Sequence, residues 1–190
     1  MAQNASELQY ATDGDILVAP YGTALPETIS DELDPAFVNL GYATTDGVTE
    51  NTGQEVTETD AWQSPTPIDR KVLKRLKGIA ATLLQTNREN YKIAFGGGEW
   101  AETAPGEYEY TPPADTAGLP EYVVIVEVRD EDIHDRIILK RATMGEEIEV
   151  QRVRDKAAQY PLKFDALTPD GESTAWGFQS DNPAFAEAGS

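Results

Sequence analysis

The chain has 190 residues, 39% of them hydrophobic, with 34 Asp and Glu against 15 Lys and Arg for a formal charge of −19, and no Cys. That length fits one fold with a modest core, while the acidity argues against a protein that grips nucleic acid by neutralising phosphates. The lack of cysteine excludes disulfides, a thiol nucleophile and thiolate zinc sites, and no apolar run approaches the roughly 18 residues of a membrane span.

Fifteen Gly and twelve Pro punctuate the sequence, which suits many short strands better than a few long helices. The N-terminus is polar without Lys or Arg, unlike a secretion signal, so a soluble protein made in the cytoplasm is expected. Residues 1–14 read as an arm. Asp15–Ala19 (DILVA), closed by Pro20, reads as a first strand, and Tyr21–Pro35 as a long loop stiffened by its prolines. Phe37–Thr44 is strand-like, and Thr45–Val48 (TDGV) carries an Asp-Gly turn signal. The Thr- and Glu-rich segment Thr49–Asp60 has Val56 as its one large apolar residue, and reads as a wet acidic strand or loop.

Residues 1–69 contain no Lys or Arg, whereas Arg70, Lys71, Lys74, Arg75 and Lys77 fall within eight residues without an acid. Such asymmetry suits head-to-tail docking of copies, and equally a solvated face. Val72, Leu73, Leu76, Ile79, Ala80, Leu83 and Leu84 recur at helical spacing, so periodicity alone predicts a helix there, against which stands Gly78. Thr86–Phe95 offers an N-cap in Thr86 or Asn87 and a stop at Gly96–Gly98, predicting a short helix over about 87–95. Tyr108–Thr111, Tyr122–Arg129, Ile133–Ala142, Glu147–Arg152, Pro161–Ala166 and Ala175–Phe178 then read as strands, with a turn at Thr168–Ser173 and a polar tail from Gln179.

Catalytic chemistry is hard to find. His134 is the one histidine; beside Asp132 and Asp135 it reads as a surface strand residue, since no second ligand stands at metal spacing. Asp130, Glu131, Asp132 and Asp135 lack the glycine-spaced pattern of a calcium loop and read as a charged hairpin tip. Gly96–Gly98 lacks the Lys and Ser or Thr of a phosphate loop. No Gly-x-Ser-x-Gly elbow occurs. Trp62, Trp100 and Trp176 read as core or interface anchors. No catalytic residue, metal or cofactor is expected.

Four segments carry a resemblance: FVNLGYATTDGVTE (Phe37–Glu50), EVTETDAWQSPTPIDR (Glu55–Arg70), ATLLQTNRENYKIAFG (Ala81–Gly96) and IILKRATMGEEIEVQRVRDKAAQYPLKFDALTPDGESTAW (Ile137–Trp176). In order and spacing they resemble the major tail tube proteins of long-tailed, siphovirus-type bacteriophages, especially those infecting actinobacteria. The resemblance implies a mainly β, two-sheet sandwich or barrel-like tail tube fold with one short flanking helix and extended arms and loops. It implies a single domain over residues 1–190, with arms at 1–14 and 179–190 suited to latching rings together. Residues 70–85 would then be strand, so two readings of that segment stand side by side.

A non-enzymatic virion protein is the further implication, six copies to a ring, with stacked rings forming the conduit for DNA ejection. Assembly would take place in the host cytoplasm. The partners would be other copies, the tape measure protein, tail terminator and distal tail proteins, and transiting duplex DNA without specific binding; no membrane is involved. DNA carries about one charge per 1.7 Å, so an acidic lumen would let it slide. Glu50, Glu55, Glu58, Asp60, Glu147 and Glu149 are the lumen-lining candidates. Trp62, Arg70, Lys71, Lys74, Arg75 and Lys77 are the candidates for ring or inter-ring contacts. Competing readings are a baseplate hub or tail completion protein, or a carbohydrate-binding β-sandwich using Trp100 and Tyr108.

Overall fold

A computed structural model describes residues 8–145 and 148–186. The chain is mainly β, as the sequence predicts, with one large sheet, one small sheet and a short helix. The strands are β1 (Asp13–Pro20), β2 (Val38–Asn39), β3 (Ala43–Thr59), β4 (Asp69–Leu83), β5 (Glu99–Ala104), β6 (Glu107–Thr111), β7 (Glu121–Asp130), β8 (Ile133–Met144), β9 (Tyr160–Ala166) and β10 (Trp176–Ser180). Helix α1 spans Arg88–Ala94 between β4 and β5.

The large sheet runs β2-β1-β7-β8-β9-β4-β3 and is antiparallel throughout. β8 divides one of its edges: Ala142–Met144 pair with β9, while Asp135–Leu139 pair with β10. The sheet curls over its own core, because Ile16, Val18, Val124 and Val126 from β1 and β7 share one buried cluster with Ile79, Leu83, Tyr160, Leu162 and Phe164 from β4 and β9. Tyr122 meets Phe164 edge to face across this interior, centroids 6.2 Å apart. A smaller cluster of Val123, Ile125 and Ile138 lies on the opposite face, under Leu25, Leu33 and Phe37 of the β1–β2 loop. Alternation along β7 therefore serves two cores, and its residues 123–127 are all buried.

Helix α1 closes one opening of the curl with Ile93 and Ala94. Asn87 caps it, its side chain accepting from the Asn90 N–H, and Gly96–Gly98 follow at positive φ. Buried Asn90 donates to the Leu40 and Gln85 carbonyls, both at 2.9 Å, so the helix holds the links flanking β3 and β4. The acidic β5–β6 hairpin stands on the helix through Tyr91, whose ring lies 5.2 Å from Trp100 and 4.9 Å from Tyr110.

Some local expectations give way. The segment with helical periodicity is strand β4, as the resemblance implies for residues 70–85. Ile79 and Leu83 are four apart, which places them on one face of a strand as well as of a helix, and pairing with β9 decides between the two. The Asp-Gly at Asp46–Gly47 makes no hairpin: it lies inside β3, where the register slips between Ala43 and Val48 and Gly47 takes φ +67°. The positive φ that Asp-Gly favours serves a bulge here, because β4 is the partner on both sides of it. Phe37–Thr44 contributes the two-residue β2 and then the start of β3 rather than one strand. Residues 148–150 are not strand, and Gln151 makes only an isolated bridge to Gln159.

Candidate assembly surface

β3 and β4 are the longest strands, 17 and 15 residues, yet β4 pairs with β9 only from Gly78 to Leu83. Beyond Gly78 the two continue as a ribbon, from Asn51↔Gly78 out to Thr59↔Asp69, roughly 30 Å at the usual strand rise. At its tip the 60–68 connection is turned by the Ile68 N–H on the Thr59 carbonyl (2.8 Å), and Trp62 is 98% exposed. Two-stranded ribbons are marginal in water by themselves. This one also leaves the edge of β3, the last strand of the sheet, without a partner among the described residues.

Register separates its faces. Buried Ile79 pairs with Glu50, so alternation carries the core-side face outward through Lys77, Arg75 and Leu73 on β4 and through Thr52, Gln54, Val56 and Glu58 on β3. Val56 pairs with Val72, and the register slip between Glu55 and Val56 makes Leu73 the extra residue beside them. The outer face carries Asn51, Glu55 and Thr57 opposite Gly78, Lys74 and Lys71. It runs on over the root through Ala80, Thr82, Lys163 and Asp165.

The acids proposed for the lumen and the bases proposed for ring contacts meet on this ribbon. Glu58 pairs with Arg70 and Glu50 with Lys77; Lys74 Nζ lies 3.1 Å from Glu55 and Lys71 Nζ 3.5 Å from Asp69. Between Thr49 and Lys77 five acids balance five bases, so the −19 resides on the rest of the chain. Most of these pairs are exposed and contribute little, about 0–1 kcal/mol each. Lys77 is the exception: its side chain is 7% exposed and its ammonium lies 4.4 Å from the centre of the Trp176 ring, fixing the ribbon root to β10. Arg75 has no ion-pair partner among the described residues.

The remaining candidates are scattered. Asp60 lies in the β3–β4 connection and Glu149 is exposed after β8; Glu147 lies outside the described residues. Glu50 and Glu58 share the core-side face, opposite to Glu55. Trp100 is packed among Tyr91 and Tyr110, and Tyr108 lies under Arg88 at 5.6 Å, an arrangement that leaves no open platform pairing Trp100 with Tyr108 for a sugar.

Strands β7 and β8 also bury a charge cluster. Glu127 and Arg136, 3% and 4% exposed, pair at 2.6 Å, and the Glu127 carboxylate also contacts His134 Nε2. Arg136 Nη1 donates to the Thr28 carbonyl at 3.0 Å and Nη2 to the Asp31 carbonyl at 3.3 Å, so the cluster ties down the β1–β2 loop. Its one signal in the sequence was a pair of charges in otherwise apolar strands. Asp31 is held below the usual carboxylate range, chiefly by the backbone N–H and the side chain of Thr28, with the Glu27 N–H adding to them. Asp130, Glu131 and Asp132 do form a hairpin tip, with Glu131 at φ +53°, whereas Asp135 is not part of it: it is buried inside β8, paired with Val128. Among the described residues no three His, Asp or Glu converge as a metal set, and no helix is long and apolar enough to cross a membrane.

Comparison with known families gives a match over residues 1–189 to the family described as Phage tail tube protein. No curated protein matches the chain.

Proposed function

Because the chain belongs to the phage tail tube protein family, a structural family of the virion tail whose members assemble into a tube and contact other tail proteins, we propose that its copies join sheet to sheet into rings of six that stack as the conduit for DNA ejection. The observation that carries this reading is the ribbon. It leaves apolar residues and a long strand edge uncovered, and a neighbouring copy extending the sheet around a ring would satisfy both. Head-to-tail contacts then propagate a filament instead of closing.

The outer face of β3, β4 and β9 is the proposed lumen surface, with Glu55, Asp69 and Asp165 the carboxylates that register puts on it. Glu50 and Glu58, on the opposite face, are proposed to lie at subunit contacts along with Arg70, Lys77 and Trp62. The single tail tube domain, a siphovirus-type phage of actinobacteria and assembly in the host cytoplasm complete the proposal, with latching by the terminal arms narrowed to the residues outside β1 and β10, since Asp13–Gly14 and Gln179–Ser180 are strand. Tape measure, terminator and distal tail proteins and passing DNA are the proposed partners.

Negative-stain microscopy of the purified protein tests it: wild type should form tubes whose end views average to six-fold symmetry. A variant with residues 52–75 replaced by an Asn-Gly turn should keep its thermal melt within a few degrees and stay monomeric. Tubes built by the shortened variant, or a wild type that never assembles, would sink the reading.

A further inference from the structure

The core-side face of the ribbon and strand β10 each leave an apolar patch open. Val56, Val72 and Leu73 cluster at the ribbon bulge with Leu73 59% exposed. On β10, Trp176 and Phe178 point to the core side of the sheet, opposite Leu139 and Ile137, and remain 43% and 44% exposed. Phe185, from the single turn Pro183–Phe185, lies edge-on to Phe178 at 5.7 Å and is itself exposed. Exposed aromatics gathered in this way mark contact sites more often than isolated ones do.

The ribbon cannot cover the β10 patch of its own chain. β4 leaves β9 at Gly78, and Lys77 is the ribbon residue that reaches Trp176. Leu73 lies four residues further out, roughly 13 Å along the strand. The charges around the two patches are complementary: Arg75, without an ion-pair partner among the described residues, flanks the ribbon patch beside the Glu58–Arg70 pair, whereas exposed Glu131, Asp132 and Asp181 border the end of β10. Asp181 is fixed there, its carboxylate accepting from the His134 N–H at 2.7 Å.

Resting on the tube reading above, we propose that the Val56–Val72–Leu73 patch of one copy packs on the Trp176–Phe178–Phe185 patch of a second copy, with Arg75 meeting the acids at the end of β10. The contact is heterologous, two different patches on each copy, so every subunit gives one ribbon and receives another. That arrangement extends an assembly without self-limiting pairing. The aromatic side supplies buried area, and the charges select register and partner.

Complementation tests it. Leu73→Glu spoils the ribbon and Phe178→Glu spoils the receiving patch; both side chains are exposed, so circular dichroism should match wild type. Each variant alone should fail to form tubes by electron microscopy and sediment as a monomer. Mixed in equal amounts they retain one good ribbon and one good patch, and a species of twice the monomer mass should form. If Phe178→Glu alters the melt, Phe185→Glu, outside the sheet, replaces it. Tubes from either variant alone, or a mixture that stays monomeric while wild type assembles, overturns the proposed contact and leaves the tube reading intact. A wild type that forms no tubes overturns both.

Discussion

Arg136 illustrates how much depends on one buried ion. Glu127 accepts from it inside a sheet face that is otherwise apolar, and the guanidinium spends its other donors on loop carbonyls. Arg136→Ala takes the guanidinium from the Glu127 carboxylate and leaves it the His134 contact alone, and about 3–5 kcal/mol of stability should be lost, read from the denaturant midpoint; a change below 1 kcal/mol would contradict the account. Tyr122 sets an alkaline limit. Burial first, then Glu89 and Tyr110, push its hydroxyl from 10.0 up to about 12. The folded state holds that proton more tightly than the unfolded chain. Its contribution is therefore complete below pH 10 and is lost as pH rises through the folded value. Tyr122→Phe should flatten the fall in melting temperature between those limits, and an unchanged slope would remove the assignment.

Among the elements, β4 does two jobs. From Gly78 inward it is a core strand, and outward it is half of a ribbon. Gly78 is the junction: a Cβ there would meet the Phe164 carbonyl oxygen at 2.9 Å, backbone that cannot easily retreat. Gly78→Val should therefore cost about 1–3 kcal/mol through overpacking at the β4–β9 pairing, seen as a lower melting temperature, with neutral behaviour contradicting the close approach. The periodicity that suggested a helix over 72–84 mixed two sets of residues. Ile79 and Leu83 serve the chain's own core, whereas Val72, Leu73 and Leu76 lie on the ribbon beyond it. No single-chain burial pattern could separate them, because pairing with β9 ends between.

On the scale of the whole molecule, the charge follows a division that the linear sequence disguises. The stretch without bases and the basic run after it look like opposite poles, yet antiparallel pairing zips them into a ladder of ion pairs and leaves the ribbon near neutral. Lumen charge then depends on which sheet face turns inward. Glu55→Lys with Asp165→Lys should slow DNA ejection while leaving tube length unchanged, since cations within roughly 8–10 Å of the duplex attract it through the ionic atmosphere. Ejection at the wild-type rate would place the lumen on another surface.

Much of this was legible in the amino-acid sequence. Apolar runs marked β1 and β7, alternation marked β9, and the Asn cap with three glycines marked α1, because each is a local consequence of side-chain chemistry. Over β4, periodicity pointed to a helix and the family resemblance to a strand, and pairing with β9 bore out the strand; the tertiary structure alone decided that Asp46–Gly47 bends a strand instead of ending one, and that Arg136 finds Glu127 beneath a loop. Those outcomes depend on which distant segment supplies the hydrogen bonds and the cover, and a strand acquires its two neighbours only when the sheet closes.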